Sequence, residues 1–139
     1  MFIGEAPGER EEYEGKAFVG RSGELLNKWL EFLDLSEADV YITNVVKCRP
    51  PNNRDPTPGE IEACHPWLLE EVRTLDPLLV VPLGRFAKSV VSQMRDSGVF
   101  PTERYGLALK HPAWYLRQGD MGLVPTDELR FIKRKLERL

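Results

Sequence analysis

Residues 78–83 read Leu-Leu-Val-Val-Pro-Leu, an almost unbroken apolar run that ends at Gly84. A strand with one face in water alternates apolar and polar side chains. A strand apolar throughout has to be covered on both faces, as in a parallel sheet between two layers of helices. Two further segments predict strands. Met1–Gly4 is the apolar end of one, and Val40–Val46 (VYITNVV) is β-branched along most of its length. Leu107–Lys110 predicts a short fourth strand. Between them lie helix patterns. Leu25, Leu26, Trp29, Leu30 and Leu33 recur at helical spacing after Ser22, which can cap them. Thr57, Pro58 and Glu60 have the spacing of a capping box with proline at the first helical position, for a helix running to about Thr74. Arg85–Arg95 and Thr126–Leu139 predict two more helices, the last amphipathic. Gly8–Arg21, Lys47–Pro58, Ser97–Tyr105 and His111–Arg117 read as loops.

Strands alternating with helices imply parallel pairing with right-handed crossovers. The 139 residues suffice for one domain, 1–139, and no internal repeat or linker divides them. The first apolar run starts at Met1 without the residues a buried strand of ordinary length needs, so an upstream segment is expected to be missing. No apolar run approaches the roughly 20 residues of a membrane helix, and the opening stretch, short and running straight into GEAPG, is not expected to be a signal peptide. Two cysteines make no disulfide framework, so a cytosolic location is the default. A net charge of −3 argues against a general DNA-coating protein, though not against an enzyme with a local basic face.

In open parallel sheets the site lies beyond the carboxyl ends of the strands. Here those ends lead into Glu5–Phe18, Asn44–Arg54, Gly84–Phe86 and His111–Arg117. In GEAPG (4–8), Gly4 and Gly8 permit close backbone approach, and Glu5 is either a strand-mouth carboxylate with a task or a solvated one. The segment lacks the lysine of a phosphate loop and the spacing of a dinucleotide fingerprint. In FVGRSG (18–23), Phe18 is a stacking platform or a plug, while Arg21 and Ser22 open a helix that could receive phosphate. Asn44 can give and accept hydrogen bonds together, and so read a base edge, or can be satisfied by neighbouring backbone. Lys47, Arg49 and Arg54 form a positive loop, which is either solvated or anion-facing. Cys48 and Cys64 are buried thiols or half of a metal site. His111 heads HPAWYLR (111–117), whose Trp114, Tyr115 and Leu116 sit between Lys110 and Arg117. An apolar wedge beside cations suits a nucleic-acid groove, and a core-anchored loop fits equally. The cations of the last helix, Arg130 to Arg138, are also what a helix C-terminus favours.

Taken in order, GEAPG, FVGRSGELL, YITNVVKCRPPNNRDPTPGEIEAC, LGRFA and HPAWYLR resemble the family 4, iron–sulfur uracil-DNA glycosylases over nearly the whole chain. The resemblance implies a three-layer α/β/α sandwich around a four-stranded parallel sheet, and excision of uracil from single- and double-stranded DNA. It places Glu5 at the mouth of the uracil pocket and Glu11 near where the 5-methyl of thymine would sit. Phe18 would stack on the flipped base, Asn44 would read its edge, and His111 would belong to the second catalytic motif. Gly4 and Ala6 would line the uracil site. Ala6 stands where the best-known branch of the superfamily has an aspartate base, so Glu5, and after it Glu11, are the candidates for holding water. Arg21, Ser22, Lys47, Arg49, Leu116 and Arg117 would meet DNA. Cys48 and Cys64 match two of the four ligands of a [4Fe-4S] cluster whose other two, a Cys-x-x-Cys pair, lie upstream in the family. The stretch from Gly84 to His111 is shorter than usual there. The implied protein is a monomer acting on chromosomal DNA. A fragment that binds DNA or uracil without turnover is the competing expectation.

Overall fold

The computed structural model describes residues 1–119 and 124–139. Three strands form one sheet: β1 (Phe2–Gly4), β2 (Ile42–Asn44) and β3 (Val81–Pro82). Their order is β2-β1-β3 and every pairing is parallel, with Gly4 opposite Asn44 and Ile3 opposite Pro82. Among the described residues six α-helices surround them: α1 (Glu9–Glu14), α2 (Arg21–Phe32), α3 (Pro58–Leu75), α4 (Arg85–Asp96), α5 (Pro112–Arg117) and α6 (Thr126–Glu137).

Alternation along the strands builds two cores. Phe2 and Val81 face α2, α5 and α6, where Trp29, Leu30, Tyr115, Leu129 and Ile132 are buried. Ile3 and Val80 face α3 and α4, where Leu68, Val72, Val91 and Met94 are buried. Each such side chain contributes roughly 1.5–3 kcal/mol by leaving water. The result is the sandwich of helices, parallel sheet and helices that the apolar run at 78–83 requires. Thr57 caps α3 as its spacing predicts: its hydroxyl accepts from the Glu60 amide, and the Glu60 carboxylate accepts from the Thr57 amide. Among the described residues no helix is long and apolar enough to cross a membrane.

Four expectations need correction. Leu107–Lys110 is not a regular strand; residues 105–109 touch β3 through two isolated parallel bridges, Val80 with Tyr105 and Leu83 with Leu109. The second bridge is one residue out of register with the first, and Pro82, between them, has no N–H to continue the ladder. His111–Arg117 is not a loop beyond its first residue, since α5 begins at Pro112. Within Gly8–Arg21, α1 is a helix with no buried residue, so no apolar period announces it. The N-cap of α2 is Gly20, not Ser22.

Candidate active site

The carboxyl ends of β1 and β2 bring Gly4 and Asn44 side by side. Beyond them lies a cavity of about 340 Å³ lined by Glu5, Ala6, Glu11, Phe18, Asn44 and His111, among others. A neighbouring groove of about 510 Å³ shares Asn44 and Glu11 but includes neither Phe18 nor His111. The smaller cavity therefore gathers the groups with chemical potential.

Gly4 sets how tightly they gather. A Cβ there would lie 2.6 Å from Asn44 Oδ1 and 2.8 Å from the Phe18 ring. Only a residue without a side chain lets the amide and the ring converge over the strand end. Asn44 is 6% exposed, and its Oδ1 is buried with no hydrogen-bond partner among the described residues. A buried orphan acceptor costs about 1–3 kcal/mol. Such a cost is tolerated where a ligand's N–H completes the bond.

Phe18 has a left-handed backbone, φ +54°. Gly23 supports this conformation from below, because a Cβ on it would come within 1.7 Å of the Phe18 carbonyl oxygen. The Phe18 ring stacks on His111 with centroids 5.3 Å apart and planes 29° apart. His111 caps α5: its Nδ1 accepts a hydrogen bond from the Ala113 amide at 3.1 Å. Burial of the ring, and then the positive charge of Arg117, push its pKa down to about 4. The imidazole is thus neutral at pH 7, with Nδ1 as acceptor and Nε2–H as donor.

The two carboxylates differ. Glu11 is a loop brace. Its Oε1 accepts from the Gly8 amide at 3.3 Å and its Oε2 from the Gly20 amide at 3.2 Å, tying together the ends of the segment that carries Phe18. Glu5 has its pKa raised by burial and by the charge of Asp55, against the opposing charges of Arg85 and Arg117. A carboxylate whose proton affinity is raised at the mouth of a cavity is suited to accept a proton.

Residues 1–136 match the Uracil DNA glycosylase superfamily. The chain belongs to that superfamily. It is 43% identical over 128 residues to a Type-4 uracil-DNA glycosylase of Archaeoglobus fulgidus, covering 81% of this chain and 64% of that protein. With the Type-4 enzyme of Sulfurisphaera tokodaii it shares 44% over 128 residues, covering 91% and 57%. With that of Saccharolobus solfataricus it shares 56% over 90 residues, covering 64% and 42%. The chain thus spans about half the length of these relatives.

The residues that the superfamily resemblance assigns to DNA are dispersed. Ser22 and Arg117 line the cavity. Arg21 is exposed on the first turn of α2. Arg49 is tied within its own loop, its Nε donating to Asn53 Oδ1 at 2.7 Å. Leu116 is half-buried and packs against the core beneath α5. Lys47 is drawn away from the cavity: its ammonium is paired with Glu71 of α3 and donates to the Asn44 carbonyl at 2.8 Å. Sequence reasoning missed Asn53 and Ala113 and named Arg54 only as a loop cation, yet all three line the cavity. Arg54 is held by Glu60 through both terminal nitrogens, at 2.7 and 3.1 Å. The paired asparagines of PNNRDP, both left-handed in the fold, were the available signal.

Cys48 is exposed and Cys64 half-buried. Both line a groove of about 680 Å³ beside Trp67 and Tyr41. Cys64 Sγ accepts from the Lys47 amide at 3.4 Å. Among the described residues no three His, Cys, Asp or Glu side chains converge on a metal position. Two sulfurs are half of a [4Fe-4S] ligand set, so the residues present do not by themselves hold such a cluster.

Proposed function

We propose that this single domain, residues 1–139, removes uracil from DNA by hydrolysing its N-glycosidic bond. The observation that carries the proposal is the buried, unpartnered Oδ1 of Asn44 inside a cavity closed by an aromatic ring and a neutral histidine. Uracil offers an imide N3–H between two carbonyls. Asn44 Oδ1 would accept from N3–H while its Nδ2 donates to O4. Cytosine presents the reverse pattern, an amino group and a bare N3, and would leave both groups mispaired.

Uracil stacked in a duplex is out of reach, so the nucleotide has to swing out into the cavity. Phe18 would stack on its face. As the bond from C1′ to N1 breaks, its electron pair passes to the base and positive charge develops on the sugar. His111 Nε2–H would donate to O2, where the base accumulates negative charge. This is electrostatic stabilisation aimed at the transition state, and no proton need leave the ring. Glu5 would hold the water that attacks C1′ and take up its proton, while Glu11 keeps the loop in place. Arg117, Ser22 and Arg21 would position the flanking phosphates. The chemistry uses the chain's own groups, and the two cysteines lie outside the cavity.

The test is an oligonucleotide carrying one uracil, incubated with the protein and then with alkali. Cleavage at the uracil position, absent for the matching cytosine strand, supports the proposal. An intact strand with tight binding would make the protein a DNA-binding fragment instead.

A further inference from the structure

We infer that Lys47 and Glu71 are positioning residues that hold Asn44 in the orientation its recognition role requires, a role that rests on the uracil-excision reading. Alternation along β2 sends the Thr43 side chain toward α3 and the Asn44 side chain into the cavity. On the α3 side, Glu71 collects three partners. Tyr41 Oη donates to Oε2 at 2.6 Å, the Thr43 hydroxyl donates at 3.0 Å, and the Lys47 ammonium makes an ion pair. The ammonium has three donors, and three acceptors meet it: Glu71 Oε1, Thr43 Oγ1 and the Asn44 carbonyl oxygen. No donor remains for a phosphate. Both side chains are mostly buried, at 28% and 20% exposure, so the pair is also poorly placed to reach one.

The consequence for Asn44 is geometric. Among the described residues its Oδ1 has no hydrogen-bond partner, so no hydrogen bond at that oxygen aims the amide. Its direction has to come from the backbone. On one side the backbone is fixed by pairing with Gly4. The next amide, Val45, also donates to the Gly4 carbonyl, at 2.9 Å, whereas the Asn44 carbonyl, on the unpaired edge of β2, is gripped by the Lys47 ammonium at 2.8 Å. Glu71 in turn fixes the ammonium to α3, an 18-residue helix. The clamp thus holds Asn44 from the open edge of the sheet, opposite β1. A misplacement of about 1 Å at a reacting group can cost on the order of 100-fold in rate.

The test is a double-mutant cycle of Lys47→Met with Asn44→Ala, read as single-turnover uracil release. Lys47→Met alone should slow release by roughly 10- to 100-fold. The salt dependence of DNA binding should not change, whereas loss of a phosphate contact would lower its slope by about one. In the Asn44→Ala background Lys47→Met should have no further effect, and Glu71→Gln, which keeps an acceptor, should fall between wild type and Lys47→Met. Additive losses, or a reduced salt slope, would overturn the inference. The side-chain amide resonance of Asn44, followed by NMR in the free protein, gives a readout that needs no turnover. A shifted or broadened signal in Lys47→Met supports the clamp, and an unmoved one overturns it. If wild type releases no uracil, the excision reading falls and this resonance alone decides the clamp.

Discussion

The Ala113 amide donates to Nδ1 of His111 across 3.1 Å. That bond fixes the tautomer, and the depressed pKa of about 4 fixes the charge. His111 is therefore a neutral donor through Nε2 at neutral pH, well above its depressed value of about 4. Replacing it with alanine should lower the rate of uracil release by about 10²–10³-fold, the usual loss for one transition-state donor. DNA affinity should change little, which a binding titration beside the rate measurement checks.

The same histidine ties the fold to pH. Its native value lies below the ordinary 6.5, so the unfolded chain takes up a proton that the native state refuses. Its contribution to stability is complete above about 6.5 and is lost as pH falls toward 4. Thermal unfolding followed between pH 7 and pH 4 should show this loss, and His111→Asn should flatten that part of the curve.

Activity should follow a different group. Glu5 is raised by burial and by Asp55, and it has to be ionised to accept a proton from water. Uracil release should fall on the acid side of a pKa above the ordinary 4.5 of a glutamate. Asp55→Asn removes a raising charge and should move this limb to lower pH. Arg85→Gln removes a lowering charge and should move it to higher pH. A pH–rate profile of the three proteins reads both shifts.

Two glycines should separate recognition from stability. Gly4→Ala puts a methyl 2.6 Å from Asn44 Oδ1 and 2.8 Å from the Phe18 ring, in the space a base would use. It should abolish most uracil release, with a loss of 100-fold or more on the scale set by misplaced catalytic groups. Gly23→Ala drives a methyl into the Phe18 carbonyl and has to shift backbone. It should cost stability as well, by about 1–3 kcal/mol as for other overpacked sites. Denaturant melts paired with rate measurements distinguish the two.

What the sequence made legible was what short-range chemistry determines. Thr57, Pro58 and Glu60 announce the start of α3 because a capping box is completed within four residues. The apolar run at 78–83 announces β3, although the strand proper is only Val81–Pro82 and Leu78, at the start of the run, stays exposed. Glu5, Phe18, Asn44 and His111 were chosen from strand ends and from the family resemblance, and the fold brings all four to one cavity. Long-range partners were not legible. Lys47 reads as a loop cation until Glu71, on a helix far along the chain, is brought against it. Glu11 reads as a pocket carboxylate and does line the cavity, but its brace to the Gly8 and Gly20 amides needs the fold to be seen. The short helices α1 and α5 escaped because six residues are too few to show an apolar period.

The most direct measurement is free uracil released from single-stranded uracil-containing DNA, compared with Asn44→Ala under the same conditions. The account predicts stoichiometric uracil from the wild-type chain, none from the cytosine strand, and a loss of at least 100-fold in the variant. Equal release by wild type and Asn44→Ala would contradict it, because the orphan acceptor would then not be where the base is read.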